Sequence, residues 1–465
     1  MTQGQPGIRN RGNQPDYILG THEGWDAFGV VRWHGIEELS QPYRYDLTLM
    51  RSATDGPIDL DKLLDAGATF RIASQRRWRT LHGVLAEAEE IDRTGQILLY
   101  RVLLVPHFWR ARYRRRCRNF VNRTLREIVS AVLENRSPAH PEGKGGLVLF
   151  TSAQAPDPHP DFRSFKSPTG SYRWDLKEPA RVDDRTRRPY VAQYNESDFD
   201  FVTRLLEDEG LSYDFEQGRD EACFAITDKP GVSPMFDEDT TFELRRVSKT
   251  GSAGDQEIVR SFRDPRRLQS RAVTVRDWDY NRSGRPLQAT VDEAPDDADL
   301  SQHFEFPVGE ETVKDRPGMH AAEIRMERHD VERALREGAG SLRTMEPGRR
   351  FTLHDADGLR ADAKLLAVRV ETFANRADPP ADDPRRGALR LCRRGGPARR
   401  RSRQPLRRAR RGRPLSPGDE HAQAEDPRRA GSGHHRGGVP GERAAGDQRR
   451  RAGEGARPLP LGPAP

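Results

Sequence analysis

The segment from Tyr194 to Glu216 restricts the possible folds more than any other part of the chain, because it holds a helix start, a helix stop and an alternating strand within 23 residues. Ser197 is placed to cap a helix by accepting backbone N–H bonds, and Asp200 lies three positions later, near the positive helix end. Gly210 can adopt a positive φ and end the helix. The segment therefore predicts a helix that packs beside a sheet.

Apolar side chains in this segment follow first a helical period and then a strand period. The helical set falls at i, i+1, i+4 and i+5 and consists of Phe201, Val202, Leu205 and Leu206. After Gly210, apolar and polar residues alternate, as in a half-buried strand whose inward positions are Leu211, Tyr213 and Phe215. We expect the acidic run Glu207, Asp208 and Glu209 to be a solvated helix end rather than a catalytic carboxylate set.

The whole segment resembles the signature of the VgrG family, the spike proteins of bacterial type VI secretion, in which the pattern Y-x-E-S-D-F-x-F-x-x-R-L-L-E-x-E-G-x-x-Y-x-F recurs. We call it the signature segment and interpret its matching residues as structural. They are Tyr194, Glu196, Ser197, Asp198, Phe199, Phe201, Arg204, Leu205, Leu206, Glu207, Glu209, Gly210, Tyr213 and Phe215. Further pieces similar to VgrG occur at residues 38–47, at residues 58–64 and around Gly83, so that the resemblance covers roughly residues 16–376.

The resemblance implies a β-rich α+β fold with two antiparallel β-barrel domains and flanking helices, similar to the phage tail hub. Short apolar alternations between Asp16 and Val105 independently indicate antiparallel sheet. Helical spacing predicts a helix at Arg123–Leu133. Ala321–Glu337 is interpreted as a polar helix that resembles the arm helix of the family's second barrel. The expected organisation is a disordered start at 1–15, a first barrel with its closing helix at 16–136, a connection at 137–189, a second barrel with helices at 190–376, and a disordered tail at 377–465.

The net charge of +7 comes from this tail, which has 22 Arg against 10 Asp and Glu, a net of +12 that leaves −5 for residues 1–376. The tail contains no Lys, Ile, Met, Phe, Trp or Tyr and only seven Leu or Val, too little apolar surface to offset its chain entropy. We therefore expect it to be disordered. An Arg-rich nucleic-acid-binding protein that uses the tail is an alternative function, with non-specific and salt-dependent binding of polyanions.

The tail composition is also typical of a GC-rich gene translated in a shifted frame. When the codons of Gly453 to Pro463 are shifted forward by one nucleotide, free wobble bases permit G-R-V-R-V-R-F-H-W-D-R. That string resembles the VgrG motif G-R-V-K-V-x-F-H-W-D-R, which opens the barrel after the hub. We expect a frameshift product that lacks the C-terminal needle of the family, with the natural continuation lost after about Asn375.

No motif in the sequence indicates catalysis, a metal site or a cofactor. The strings H-E-x-x-H, G-x-S-x-G, G-x-G-x-x-G and Walker A are all missing from it. Asp277, Asp279 and His303 resemble an acid/base set, but the two aspartates fit ordinary strand alternation. Three isolated cysteines without C-x-x-C spacing disfavour both a disulfide framework and a zinc site. We expect a protein that is not an enzyme.

The resemblance also implies partners and an export route. Intact family members form a homotrimer that caps the Hcp tube, and their needle carries a PAAR-repeat tip protein and effectors. Without the needle, we expect trimerisation to be weak or absent. The sequence predicts neither a membrane span nor a Sec signal, so the protein would be cytoplasmic on synthesis and exported through the type VI apparatus. A contractile-phage baseplate hub is the alternative with the same fold.

The basic stretch from Arg110 to Arg118 permits two interpretations. Six arginines lie between Arg110 and Arg118, with Trp109 and Tyr113 interleaved. Such a pattern can bind single-stranded nucleic acid, or it can be a basic strand beside an acidic face of the same protein. We favour the second interpretation.

Overall fold

The computed structural model describes residues 17–73, 78–135, 151–152, 167–185, 188, 190–229, 240–245, 257–278, 286–293, 301–306, 319–356, 358 and 362–375. These all lie within one compact unit, Met1–Gly396. Strands dominate and helices are few, which confirms the predicted β-rich fold class.

The strands are β1 (Tyr17–Gly20), β2 (Gly29–Glu38), β3 (Gln41–Ser52), β4 (Gly67–Ala73), β5 (Trp78–Thr94), β6 (Ile97–Val105), β7 (Arg115–Val121), β8 (Thr151–Ser152), β9 (Thr169–Asp175), β10 (Tyr190–Ser197), β11 (Ser212–Gln217), β12 (Glu221–Thr227), β13 (Thr240–Leu244), β14 (Ile258–Arg263), β15 (Ala272–Trp278), β16 (Pro286–Asp292), β17 (Gln302–Glu305), β18 (Glu337–Gly340), β19 (Arg350–Asp355), β20 (Ala363–Leu366) and β21 (Arg369–Asn375). The α-helices are α1 (Leu60–Leu63), α2 (Leu125–Leu133), α3 (Ala180–Asp183), α4 (Asp198–Asp208) and α5 (Met319–Arg333). Within the described ranges, 3₁₀ segments span Ala53–Asp55 and His107–Tyr113.

Seven strands form the first sheet, which is antiparallel and has the order β1-β4-β5-β6-β3-β2-β21. Tyr17 in β1 and Trp33 in β2 meet edge to face, with ring centroids 5.7 Å apart. This contact brings the two sides of the sheet together, so the sheet curls as a barrel does. Tyr45, Phe70 and Tyr100 are fully buried at its centre.

A second core lies under the signature segment. The ribbon of β7 and β10 and a four-stranded sheet of order β11-β12-β9-β8 surround it together with α2 and α4. Helix α2 begins at a capping box, in which the Thr124 Oγ1 accepts from the Glu127 N–H at 3.0 Å and the Glu127 carboxylate accepts from the Thr124 N–H at 2.9 Å. The predicted helix at 123–133 is therefore confirmed.

Two smaller sheets complete the described chain. One has the order β18-β14-β13-β19-β20, and the other has the order β16-β15-β17. Helix α5 packs on the second of these through Ala321, Ala322 and Met326, which contact Val273 and Val275. The helix expected at Ala321–Glu337 is thus observed at Met319–Arg333, and Glu337 begins β18 instead.

The structure differs from the expected domain organisation at three strands. β8 and β9 lie inside the stretch 137–189, which was expected to be a connection, and β9 pairs with β12. β21, expected in the second barrel, hydrogen-bonds with β2 in the first sheet. Both pairings join residues far apart in the chain, and local periodicity does not specify a strand's partner. The domain boundaries stay predictions.

The direction of several strand pairs also could not be inferred. Among the described residues, β8–β9, β9–β12, β13–β14, β13–β19 and β15–β17 are parallel. Alternation of apolar and polar residues has the same period in parallel and antiparallel strands, so the sequence pattern does not distinguish them.

Some expectations fall outside the described residues. They include disorder at 1–15 and 377–465, the frameshifted tail, and the role of Asp279. No α-helix in the described part of the chain is long and apolar enough to cross a bilayer.

Candidate functional site

The signature segment begins with the predicted helix cap. The Ser197 Oγ accepts from the Asp200 N–H at 3.0 Å and donates to the Asp200 carboxylate at 2.7 Å. Helix α4 starts directly after Ser197, and Gly210 has a φ of +70° after its end. The chain then enters β11. The helix start, the helix stop and the strand are all confirmed.

The apolar members of the segment form the second core. Phe201 stacks on Phe120 with centroids 5.9 Å apart, and Tyr213 lies 4.7 Å from Phe224. The remaining apolar members, Phe199, Leu205, Leu206 and Phe215, pack in or against the same cluster. Burial raises the pKa of the Tyr213 hydroxyl well above its ordinary value. These residues hold α4 against the sheet.

Asp198, the first residue of α4, is a fully buried carboxylate. Arg114 Nε lies 2.9 Å and Arg118 Nη2 2.6 Å from its oxygens, and the Gln193 amide donates to it at 2.9 Å. Burial lowers the pKa of Arg118 to about 10, although the Asp198 charge acts in the opposite direction. The carboxylate thus joins the helix start to β7 and β10.

The acidic run at the end of α4 is only partly solvated. The Glu207 side chain is 70% exposed, whereas Glu209 is 1% exposed. Arg188 Nη2 lies 3.1 Å from Glu209, and the Arg181 guanidinium also faces it. The prediction of a solvated helix end is therefore wrong for Glu209, because its charge is compensated by residues that are remote in sequence.

This acidic end forms a junction with helix α5. Three contacts connect them: Arg328 Nη1 to Glu207 Oε1 at 2.8 Å, Arg325 Nη2 to Asp208 Oδ1 at 3.8 Å, and His320 Nε2 to Glu209 Oε1 at 3.3 Å. The three basic residues occupy positions i, i+5 and i+8 of α5, which lie on one face. We call this the α4–α5 junction. This junction was not predicted from the sequence. The spacing of the basic residues in α5 could have indicated a basic face that meets the acidic run.

Gly210 lets α5 approach closely. A Cβ at this position would lie 2.9 Å from the Cδ1 of Ile324. Gly210→Ala should therefore lower the free energy of unfolding by about 2–3 kcal/mol, the sum of a left-handed backbone penalty and a steric contact. Urea unfolding measures this difference.

Gly95 provides a matched control for that substitution. Its φ is +53°, and nothing lies within 4 Å of an added Cβ. Gly95→Ala should carry the backbone penalty alone, about 1 kcal/mol. Equal losses in the two variants would show that the approach of Ile324 does not matter.

Three signature residues, Tyr194, Arg204 and Glu207, have exposed side chains. The Arg204 Nη2 pairs with Glu196 at 2.8 Å across the start of the helix. Tyr194 is 81% exposed, next to a register shift in β10 where Asn195 has a φ of +51°. Of these three, Arg204 and Glu207 form ion pairs within the chain, with Glu196 and with Arg328.

The basic stretch covers parts of the 3₁₀ segment at His107–Tyr113 and of strand β7, and most of its arginines contact other residues of the chain. Arg110 pairs with Asp65 at 2.6 Å, and Arg116 donates to Asn135 at 2.6 Å. Arg112 stacks on the Phe199 ring, with its Cζ 3.9 Å from the centroid. With the Asp198 contacts described above, these interactions favour a structural role over a nucleic-acid surface.

Asp277 and His303, the two described members of the set considered for acid/base chemistry, lie apart. Asp277 lies opposite Leu287, while His303 lies beside Val273, four positions away along β15. That separation is about 13 Å along a strand. Among the described residues, no group of three or more His, Cys, Asp or Glu side chains is arranged to hold a metal ion.

A family comparison accounts for this architecture. The model of the phage tail baseplate hub family (GPD) matches residues 36–145 and 164–377, which include the signature segment and the α4–α5 junction. The chain belongs to the phage tail baseplate hub family. The match covers most of the residues that build the described sheets.

Similar proteins include type VI secretion spike proteins, which confirms the predicted resemblance to VgrG. The spike protein VgrG4b of Pseudomonas aeruginosa is 26% identical over 378 residues, covering 80% of this chain and 40% of that protein. VgrG5 of the same organism is 27% identical over 347 residues, covering 73% and 38%. The chain thus matches less than half the length of these relatives.

Among solved structures, an Escherichia coli type VI secretion component described as similar to T4 bacteriophage tail proteins aligns with a TM-score of 0.48. It is 20% identical, and the alignment covers 77% of this chain and 73% of that one.

Proposed function

We propose that the chain is a non-enzymatic structural component of a type VI secretion spike, in which its β-rich part forms the hub of a homotrimer that caps the Hcp tube. The observation that carries this proposal is the family match over residues 36–145 and 164–377. The similarity to spike proteins of Pseudomonas aeruginosa favours secretion over other uses of the same fold.

The described side chains support a structural role. The signature carboxylates Asp198 and Glu209 are buried against arginines, so they stabilise the fold and do not face a substrate. The Arg204–Glu196 pair, which is more exposed, also lies within the signature segment. Such a hub would act by shape and by assembly.

The proposal extends to partners and route. A PAAR-repeat tip protein and effectors would join the assembled spike, and the protein would leave the cytoplasm through the type VI apparatus. A contractile-phage baseplate hub is the second candidate, favoured by the description of the family itself. The two functions differ in the tube protein that the hub recognises.

Cosedimentation tests the proposal. Although the chain is expected to trimerise weakly in solution, the tube end would bring its copies together. We therefore expect the full-length chain to pellet with assembled Hcp tubes of its own bacterium and to saturate at a few copies per tube. Binding to a contractile-phage tail tube instead would favour the second candidate. Polyanion binding through the Arg-rich tail should weaken strongly between about 50 and 200 mM salt, whereas docking on the tube should persist. Failure to bind either tube would contradict both functions.

A further inference from the structure

Three segments meet around a small cavity between the first sheet and β11, and several charged side chains line it. The Ser40 N–H, in the turn between β2 and β3, donates to the Tyr213 carbonyl at 2.8 Å. The third segment is the turn of residues 346–349, which precedes β19. Its Gly348 N–H donates to the Ala367 carbonyl at 2.8 Å. The cavity is lined by Glu37, Tyr43, Arg79, Asp214, Glu346 and Arg349, among others.

Asp214 of β11 lies directly against the backbone of the turn 346–349. A Cβ added to Gly348 would be 2.8 Å from the Asp214 Oδ2, and Gly348 has a φ of +76°. Only a glycine leaves room for this approach. Asp214 is partly buried, and no described side chain forms a hydrogen bond or an ion pair with its carboxylate.

The neighbouring charges are already paired. Arg173 of β9 lies 2.6 Å from Glu216, and Arg349 lies 2.5 Å from Glu346. Arg79 of β5 binds Glu37 and also lies 3.3 Å from Glu346. The cavity therefore offers the Asp214 carboxylate little uncompensated positive charge.

The surroundings of Asp214 favour its neutral form. Burial raises the pKa of its carboxyl to about 7, and Glu216 and Glu346 act in the same direction, while Arg173 and Arg349 oppose them. Because the pKa of Asp214 is higher in the folded chain than in an unfolded one, its neutral carboxyl stabilises the fold most at acid pH. This stabilisation is lost as the pH rises through about 7. Glu37, Glu38 and Arg79 are the charged groups that face the cavity from the first sheet.

We propose that Asp214 is a proton-operated latch between β11 and the turn 346–349. When its carboxyl is neutral, the turn stays closed against the strand and β19 keeps its position. When the carboxyl ionises, its charge lacks a partner in the cavity, and the turn opens more often. The contact thus makes the junction between the first sheet and the β19 sheet sensitive to pH near neutrality.

Hydrogen exchange on the full-length protein tests the latch. After correction for intrinsic exchange rates, the protection of the Gly348 and Ala367 amides should fall about tenfold between pH 6 and pH 8, as ionisation with a midpoint of about 7 requires. Asp214→Asn, which stays neutral, should abolish this dependence. Asp26→Asn, at an exposed position, should leave it unchanged.

An NMR titration of the Asp214 carboxyl carbon in the unmodified chain provides a measurement that does not depend on a variant. Its midpoint should lie near 7. A midpoint below about 5 would overturn the proposal, since an ordinary aspartate titrates near 3.9. Protection that does not change with pH, or that falls equally in Asp214→Asn, would overturn it as well.

Discussion

Replacing Asp198 by alanine should lower the free energy of unfolding by about 3–5 kcal/mol, because the change leaves two buried arginines without their shared carboxylate. Arg114 and Arg118 both contact Asp198, and their side chains are only 16% and 8% exposed. Unfolding in urea, followed by tryptophan fluorescence, measures the loss. Because Asp198 joins α4 to both strands of the ribbon, no single neighbouring contact can replace it.

Glu196→Ala is the matched control within the same segment. Glu196 pairs with Arg204, whose side chain is 44% exposed, so water can solvate the arginine that remains. The expected loss is at most about 1 kcal/mol. If both variants lost the same free energy, the buried cluster around Asp198 would not be the structural centre of the signature segment.

Acid should destabilise the chain through two buried histidines. Burial lowers the pKa of His82 and of His107 to about 4. In His82, the Thr69 hydroxyl contacts Nδ1 at 2.9 Å and the Gly218 carbonyl contacts Nε2 at 3.2 Å. Because folding lowers these pKa values from about 6.5, the stabilisation is complete above pH 6.5 and is lost as the pH falls toward 4. Each histidine should contribute a loss of about 2 kcal/mol between pH 7 and pH 4.5.

His82→Gln isolates one of these contributions. Glutamine stays neutral at every pH, and its amide can still donate toward the Gly218 carbonyl. The variant should be less stable than the original chain at pH 7, and the gap should narrow by about 2 kcal/mol at pH 4.5. Measuring the difference at each pH cancels the other titrating groups, including Asp214. A gap that is constant with pH would show that His82 does not titrate as its burial requires.

The local chemistry of the signature segment could be predicted from the sequence. Ser197 caps the helix, Gly210 ends it with a positive φ, and a strand follows. The predicted alternation holds at Tyr213 but is wrong at Glu216, which is buried beside Arg173, whereas Phe215 is only partly buried. Each of these features depends on residues a few positions apart, where side-chain preference and backbone conformation are directly linked. The resemblance to VgrG depended on the same short pattern, and the family match supports it.

Contacts between distant segments could not be predicted in the same way. His34 and Glu371, which hydrogen-bond across β2 and β21, are separated by 337 positions. The burial of Glu209 depends on Arg181, Arg188 and His320, and no pattern near Glu209 identifies those partners. A charge run is solvated by default, and only the fold determines which of its members is buried.

Imaging of the cosedimented complex tests the central claim most directly. An antibody against the chain, labelled with gold and viewed by electron microscopy on Hcp tubes, should mark tube ends and leave the sides bare, because a hub caps the tube. Label at one end of most tubes, retained at about 200 mM salt, is the predicted result. Label spread along the sides, or lost with salt as polyanion binding would be, would contradict the account.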